Sequence, residues 1–257
     1  MCIIVVKPKD QGFPAMKILK NCFRRNGDGA GYMFVSGEWV IIRKGFMSFT
    51  SLKHELNALK REITVKDHNL VFHFRMRTHG DILPGNTHPF PITRDLKFLT
   101  GTSVKCKIGI CHNGIIPKIT AGTKGISDTM EYVKMLSNKS PDTVVPAVQS
   151  SNGGKFVILS PTDCLLIGHF TEETGIMYSN DSYKGYSFDY AGDGEYITVY
   201  GGYGAQDSTV RVCSVCGYFA YTNYGNKDAP ICAMCHHKKT PVIEYHRTGF
   251  SFRGRDY

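Results

Sequence analysis

Five stretches carry side chains that could do chemistry. Residues 73 to 80 read "HFRMRTHG", two arginines, two histidines and a threonine directly after the apolar run "NLVF". A planar guanidinium gives a carboxylate two parallel charged hydrogen bonds, so an arginine at a strand end suits the capture of an acid. The same composition also describes a basic, solvated strand end. Cys2 follows the initiator methionine and is either a thiolate nucleophile or a buried strand residue. "HNG" at 112 to 114 is either a hairpin turn or a pair of hydrogen-bond donors, and "SDT" at 127 to 129 offers a helix cap or a ligand carboxylate. The fifth stretch holds Cys213-x2-Cys216 and Cys232-x2-Cys235, with fifteen residues between the pairs. That is the spacing of a zinc ribbon, in which two knuckles bring four thiolates to one tetrahedral ion. Four cysteines close such a site, so a structural Zn2+ is expected there and His236 and His237 are left outside it.

The elements that must position these groups are mostly short strands. "CIIVV", "GYMFV", "WVIIRKG", "NLVFHFR", "KIGICHNG", "KFVILS", "CLLIGHF" and "GIMYSN" are apolar runs rich in β-branched residues, punctuated by turn formers such as "NGDGAG" and "GDILPGN". Helical spacing appears in "FTSLKHELNALKREI", through Leu52, Leu56, Leu59 and Ile63, and in "SDTMEYVKMLSN", through Met130, Val133 and Leu136. Ser127 or Asp128 is the expected cap of the second helix. Many strands with few, separated helices predict an α+β domain with stacked sheets and helices outside.

Composition narrows the class. The chain of 257 residues is 42% hydrophobic and 21% charged, which excludes a disordered or fibrous protein. It has no apolar run of the roughly eighteen residues a membrane helix needs, and its first residues make no signal peptide. A cytoplasmic protein without membrane attachment is therefore expected, and nine cysteines there are thiols or metal ligands rather than a disulfide framework. The net charge of +9 suits an acidic partner such as nucleic acid, or a solubilising surface.

Taken together and in order, Cys2, "HFRMRTHG", "NTHPF", "ICHNGII" and "SDTMEYV" resemble the glutaminase domain of class II glutamine amidotransferases, a family of N-terminal nucleophile hydrolases. The resemblance runs over residues 2 to 190. It implies a four-layer αββα fold, and an enzyme that hydrolyses the side-chain amide of L-glutamine to glutamate and ammonia. It implies that Met1 is removed, that the Cys2 thiol attacks to form a γ-glutamyl thioester, and that its own α-amine, with an ordinary pKa of about 7.7 to 8.0, is the base. By the same resemblance Arg75 binds the substrate α-carboxylate with Thr78 and His79 beside it, and Asp128 pairs with the α-ammonium. Asn113 and the Gly114 N–H make the oxyanion hole. Two departures stand out: Met76 occupies a place where the family usually has tryptophan, and Ile3 one where it usually has glycine.

The expected division is a glutaminase domain over 1-205 and a zinc ribbon with a basic tail over 206-257. The tail "KKTPVIEYHRTGFSFRGRDY" mixes basic and aromatic residues, a composition suited to phosphate and bases, so nucleic acid is one partner this module could take. The residues left after the glutaminase domain do not suffice for an acceptor domain, which leaves two enzymatic readings. The chain delivers ammonia to an acceptor-bearing synthase partner, or it is a free-standing γ-glutamyl amide hydrolase. A catalytically silent scaffold that binds nucleic acid through the zinc ribbon is the alternative from another class.

Overall fold

The structure is a computed structural model that describes residues 2–78, 80–117, 119, 125–151 and 153–184, together with the backbone of four short strands between 210 and 231. The chain divides into two units, Met1–Lys184 and Gly185–Tyr257. The expected boundary near residue 205 lies outside the described residues.

The first unit is an α+β fold with two antiparallel sheets and five helices. In chain order its elements are β1 (Ile3–Lys7), α1 (Met16–Arg25), β2 (Ala30–Ser36), β3 (Trp39–Phe46), α2 (Phe49–Glu62), β4 (Leu70–Phe74), β5 (Phe90–Pro91), α3 (Leu96–Thr100), β6 (Ser103–Cys106), β7 (Gly109–Asn113), α4 (Asp128–Leu136), α5 (Pro141–Gln149), β8 (Lys155–Leu159), β9 (Cys164–Ile167), β10 (Thr171–Glu173) and β11 (Ile176–Tyr178). The larger sheet has seven strands in the order β10-β11-β1-β4-β2-β3-β6, and the smaller has four in the order β5-β7-β8-β9. All eight apolar runs picked out in the sequence contain a strand, and both helical patterns are helices.

Strand alternation sorts the interior into three apolar clusters. Ile3 and Val5 of β1 and Leu70, Phe72 and Phe74 of β4 pack with Leu19, Cys22 and Phe23 of α1 and Leu52, Leu56 and Leu59 of α2. Ile110 of β7 and Phe156 and Ile158 of β8 pack with Met130, Val133 and Leu136 of α4 and Val144 and Val148 of α5. The third cluster is made of strand residues from both sheets: Ile4, Val6, Met33, Val40, Ile42, Val71, Val104, Cys111, Val157 and Leu159.

The helix ends follow from local chemistry. Ser48 caps α2 by accepting from the Ser51 N–H at 3.1 Å. Ser127, not Asp128, is the cap of α4, and its hydroxyl accepts from the Met130 N–H at 3.2 Å. Asp128 is thereby the first helical residue, with its carboxylate left for other partners. No helix among the described residues is long and apolar enough to cross a membrane.

In the second unit, β12 (Val210–Val212) pairs with β13 (Phe219–Tyr221), and β14 (Tyr224–Gly225) with β15 (Pro230–Ile231), each antiparallel. Cys213, Cys216, Cys232 and Cys235 lie outside the described residues. Their place in the chain is nonetheless informative: Cys213 follows the last residue of β12 and Cys232 the last residue of β15.

Candidate active site

Parity along the strands decides which side chains meet. On β1 the residues facing the inter-sheet cluster are Ile4 and Val6, so Cys2, two residues earlier, lies on that same face. On β4 the inter-sheet residue is Val71, which puts His73 and Arg75 on the same side. On β7 Cys111 faces the other sheet and Asn113 continues its row, while on β8 Lys155 shares a face with Val157 and Leu159. On β11 Met177 packs against the cluster, and Ser179 follows two residues on. Six polar or reactive side chains therefore extend the row of aliphatic ones at one end of the space between the sheets.

Pairing register supplies the neighbours. Ile3 is opposite Phe74, and one more residue of that antiparallel register brings Cys2 opposite Arg75. The Cys2 thiol donates to the Met76 carbonyl at 3.3 Å and accepts from the Met76 N–H at 3.3 Å. Burial pushes the thiol above its ordinary pKa, opposed by the Met76 N–H, the amino terminus and the Arg75 guanidinium. A thiol held up in this way is protonated at neutral pH and needs a base to become a nucleophile.

Arg75 is buried at 2% exposure. Its Nη1 donates to the Asp81 carbonyl at 2.9 Å, and its backbone is tied to the 28–29 turn through Arg75 N–H to Gly29 O at 2.8 Å and Asp28 N–H to Arg75 O at 3.0 Å. Burial lowers its pKa, while Cys2, Asp28 and Asp128 act on it electrostatically in the opposite sense. Thus Arg75 sits within electrostatic reach of both the candidate nucleophile and the candidate ammonium ligand. Asp128 is buried at the start of α4, where Oδ1 accepts from the Thr129 N–H at 2.9 Å and Oδ2 receives the Ile116 N–H at a long 3.5 Å. Gly80 makes this approach feasible: its φ is +73°, and a Cβ there would lie 2.9 Å from the Ile126 carbonyl carbon. Asn86, buried, closes the same loop by donating to Asp81 O at 2.9 Å and Gly125 O at 2.7 Å.

Asn113 ends β7 opposite Lys155, and 41 residues including α4 and α5 separate it from that partner, so "HNG" is not a hairpin turn. Its side chain is nearly buried, with Nδ2 2.9 Å from Ser179 Oγ. Gly114 lies against Gly153 and Gly154, and a Cβ would collide with the Gly153 carbonyl oxygen. His112 faces away from the inter-sheet space: Nε2 bonds Gly153 O at 2.7 Å and Nδ1 bonds Thr129 Oγ1 at 2.9 Å. A carbonyl can only accept, so Nε2 carries a proton, and burial lowers the ring's pKa, which favours the neutral form.

The other sequence expectations divide. Thr78 is exposed, and His79 lies outside the described residues. Met76 is 39% exposed beside the thiol. Three groups were missed by sequence reasoning. Asp28 accepts from the Arg77 N–H at 2.7 Å, Asn180 Nδ2 donates to the Cys2 carbonyl at 2.6 Å, and Ser179 joins β1 to Asn113. The available signal for the last two was "SN" closing the apolar run "GIMYSN". Among the described residues no group of three or more His, Cys, Asp or Glu side chains is placed to hold a metal ion. The chain matches no protein-family model, and no curated protein matches it in sequence.

Proposed function

We propose that the first unit is a glutaminase of the class II amidotransferase type, with the four-layer αββα arrangement of N-terminal nucleophile hydrolases. The three apolar clusters, two between a sheet and its helices and one between the sheets, support that layering. The observation that carries the functional reading is the meeting of Cys2, Arg75 and Asn113 at one end of the inter-sheet space. L-Glutamine lies there with its α-carboxylate on Arg75 and its α-ammonium on Asp128. With Met1 removed, the Cys2 α-amine takes the thiol proton and the thiolate attacks the side-chain carbonyl carbon. Asn113 and the Gly114 N–H hold the resulting oxyanion. The amide C–N bond breaks, the ammonium returns its proton to the leaving nitrogen, and ammonia departs from a γ-glutamyl thioester. Water, deprotonated by the same amine, then releases glutamate and restores the thiol. Ammonia passes to an acceptor on a synthase partner. The second unit binds one structural Zn2+ through Cys213, Cys216, Cys232 and Cys235, a reading that the strand ends at Val212 and Ile231 support because each cysteine pair then starts where a strand stops.

Glutamate release from L-glutamine tests this reading. The wild-type protein releases glutamate and Cys2→Ala does not. Equal release by both, or none from a folded wild-type protein that has lost Met1, would overturn it in favour of a scaffold.

A further inference from the structure

The hydrogen bonds around Ser179 contain a polar mismatch. Its Oγ accepts from the Ile4 N–H at 2.8 Å, and a backbone amide can only donate, so this role is fixed. Asn113 Nδ2 lies 2.9 Å from the same oxygen. With the amide in that orientation Ser179 Oγ accepts twice. Meanwhile Asn113 Oδ1 is buried without a partner among the described residues. An unsatisfied buried carbonyl costs about 1 to 3 kcal/mol. A half-turn of the amide exchanges oxygen and nitrogen within the same outline. Ser179 then accepts from Ile4 and donates to Asn113 Oδ1, so the serine hydroxyl gains an acceptor, while Nδ2 takes the position that has no partner among the described residues and its hydrogens are left for a substrate oxygen.

We propose that Ser179 is a positioning residue: its hydroxyl, anchored on the Ile4 N–H, donates to Asn113 Oδ1 and holds the amide with Nδ2 toward the substrate oxyanion. The proposal rests on the glutaminase reading above. Its anchor is rigid for stated reasons. Ser179 is fully buried, its N–H donates to Ile4 O at 3.0 Å, and its carbonyl accepts from Lys155 Nζ, the residue opposite Asn113 on β8. The neighbouring Asn180 holds the Cys2 carbonyl, so one dipeptide after β11 ties the nucleophile's strand in one sheet to the oxyanion residue in the other. A misdirected Asn113 amide would present Oδ1 to a developing negative charge, which repels it.

Steady-state kinetics on L-glutamine, with the rate of Cys2 alkylation by iodoacetamide measured alongside, test the proposal in the full chain. Ser179→Ala should lower kcat by about tenfold or more, bounded by the roughly 10² to 10³ that loss of an oxyanion donor produces, with KM within about twofold. Alkylation, which forms no oxyanion, should keep its rate. In the Asn113→Ala background Ser179→Ala should have no further effect, because the group it orients is gone. If Ser179→Ala folds poorly, Ser179→Thr and Ser179→Val replace it: they share a shape, and the hydroxyl variant alone should turn over near the wild-type rate. A neutral Ser179→Ala, additive losses in the double variant, or equal activity of the Thr and Val forms would overturn the proposal while leaving the glutaminase reading in place. Turnover indifferent to Cys2→Ala and Asn113→Ala would overturn both.

Discussion

From one end to the other, the inward row of β1 runs Val6, Ile4, Cys2, and that of β4 runs Val71, His73, Arg75. On β7 and β8 the rows run from Cys111 to Asn113 and from Leu159 through Val157 to Lys155. One end of the inter-sheet space is thus a close-packed aliphatic cluster. The other holds a thiol, a guanidinium, an amide and a serine, most of them buried and bonded to backbone. The same strands and the same alternation build both ends, so the fold alone does not call for the polar one. Burying Arg75 or Asn113 in place of valine gains little stability and requires every partner to be supplied. A local breach of the apolar pattern, bonded largely to backbone yet leaving Asn113 Oδ1 and the His88 ring nitrogens without partners among the described residues, is the kind of local inconsistency expected where a protein is built for chemistry rather than for packing.

Substitutions at the two ends should fail in different ways. The largest kinetic change after loss of the nucleophile is expected from Asn113→Ala, with kcat falling by about 10² to 10³ and KM nearly unchanged in glutamate-release assays. At the aliphatic end, Leu159→Ala should lower unfolding free energy by about 2 to 5 kcal/mol in urea titrations while kcat per folded molecule stays at the wild-type value. Loss of turnover without loss of stability at Leu159, or the reverse at Asn113, would erase the distinction. Arg75→Ala should show mainly in KM, because its contact with the α-carboxylate is made equally in ground and transition states. A charged hydrogen bond contributes about 1.5 to 3 kcal/mol, or roughly 10- to 150-fold in kcat/KM.

The smallest effect concerns pH. His73, His88 and His112 are all buried near this end, with His73 and His88 stacked at 4.1 Å between ring centroids. Burial holds each below the ordinary histidine pKa; repulsion from neighbouring histidines and from Arg75 adds to this at His73 and His88, with Lys44 also acting on His88, while at His112 the Gly153 carbonyl and Asp128 oppose it; His73 is pushed down to about 3. In the unfolded chain they titrate near 6.5, so below that pH the unfolded state binds more protons than the folded one. Their contribution to stability is full above about 6.5 and is lost as the pH falls toward 3. The melting temperature should drop over that window, and His88→Phe, which cannot take up a proton, should make the drop shallower. A melting temperature flat from pH 7 to pH 4 would contradict it.

Much of this was legible in the sequence because periodicity is local. The eight β-branched runs and the Leu52–Leu56–Leu59 stripe needed only their own residues to be read. What escaped was of two kinds. α5 carries Pro146 in its interior, and β5 is a two-residue pairing that exists only because β7 lies beside it. α1 was missed although Leu19, Cys22 and Phe23 lie at helical spacing, since it opens on Ala15 with no side-chain cap. At the site, Cys2, Arg75, Asn113 and Asp128 announced themselves through residue type and motif order. Ser179 and Asn180 did not, because a Ser-Asn pair after a strand reads as a turn until the β1–β11 register places it beside Ile4 and Cys2.

The central claim, that Cys2 is the nucleophile of a glutamine-hydrolysing site, is tested most directly by a diazoketone analogue of glutamine followed by intact-mass and peptide mass spectrometry. The account predicts a protein that has lost Met1 and carries one adduct, on Cys2. Excess L-glutamine should protect it and Arg75→Ala should slow its formation. An adduct on another cysteine, no adduct at all, or labelling indifferent to glutamine would contradict the assignment.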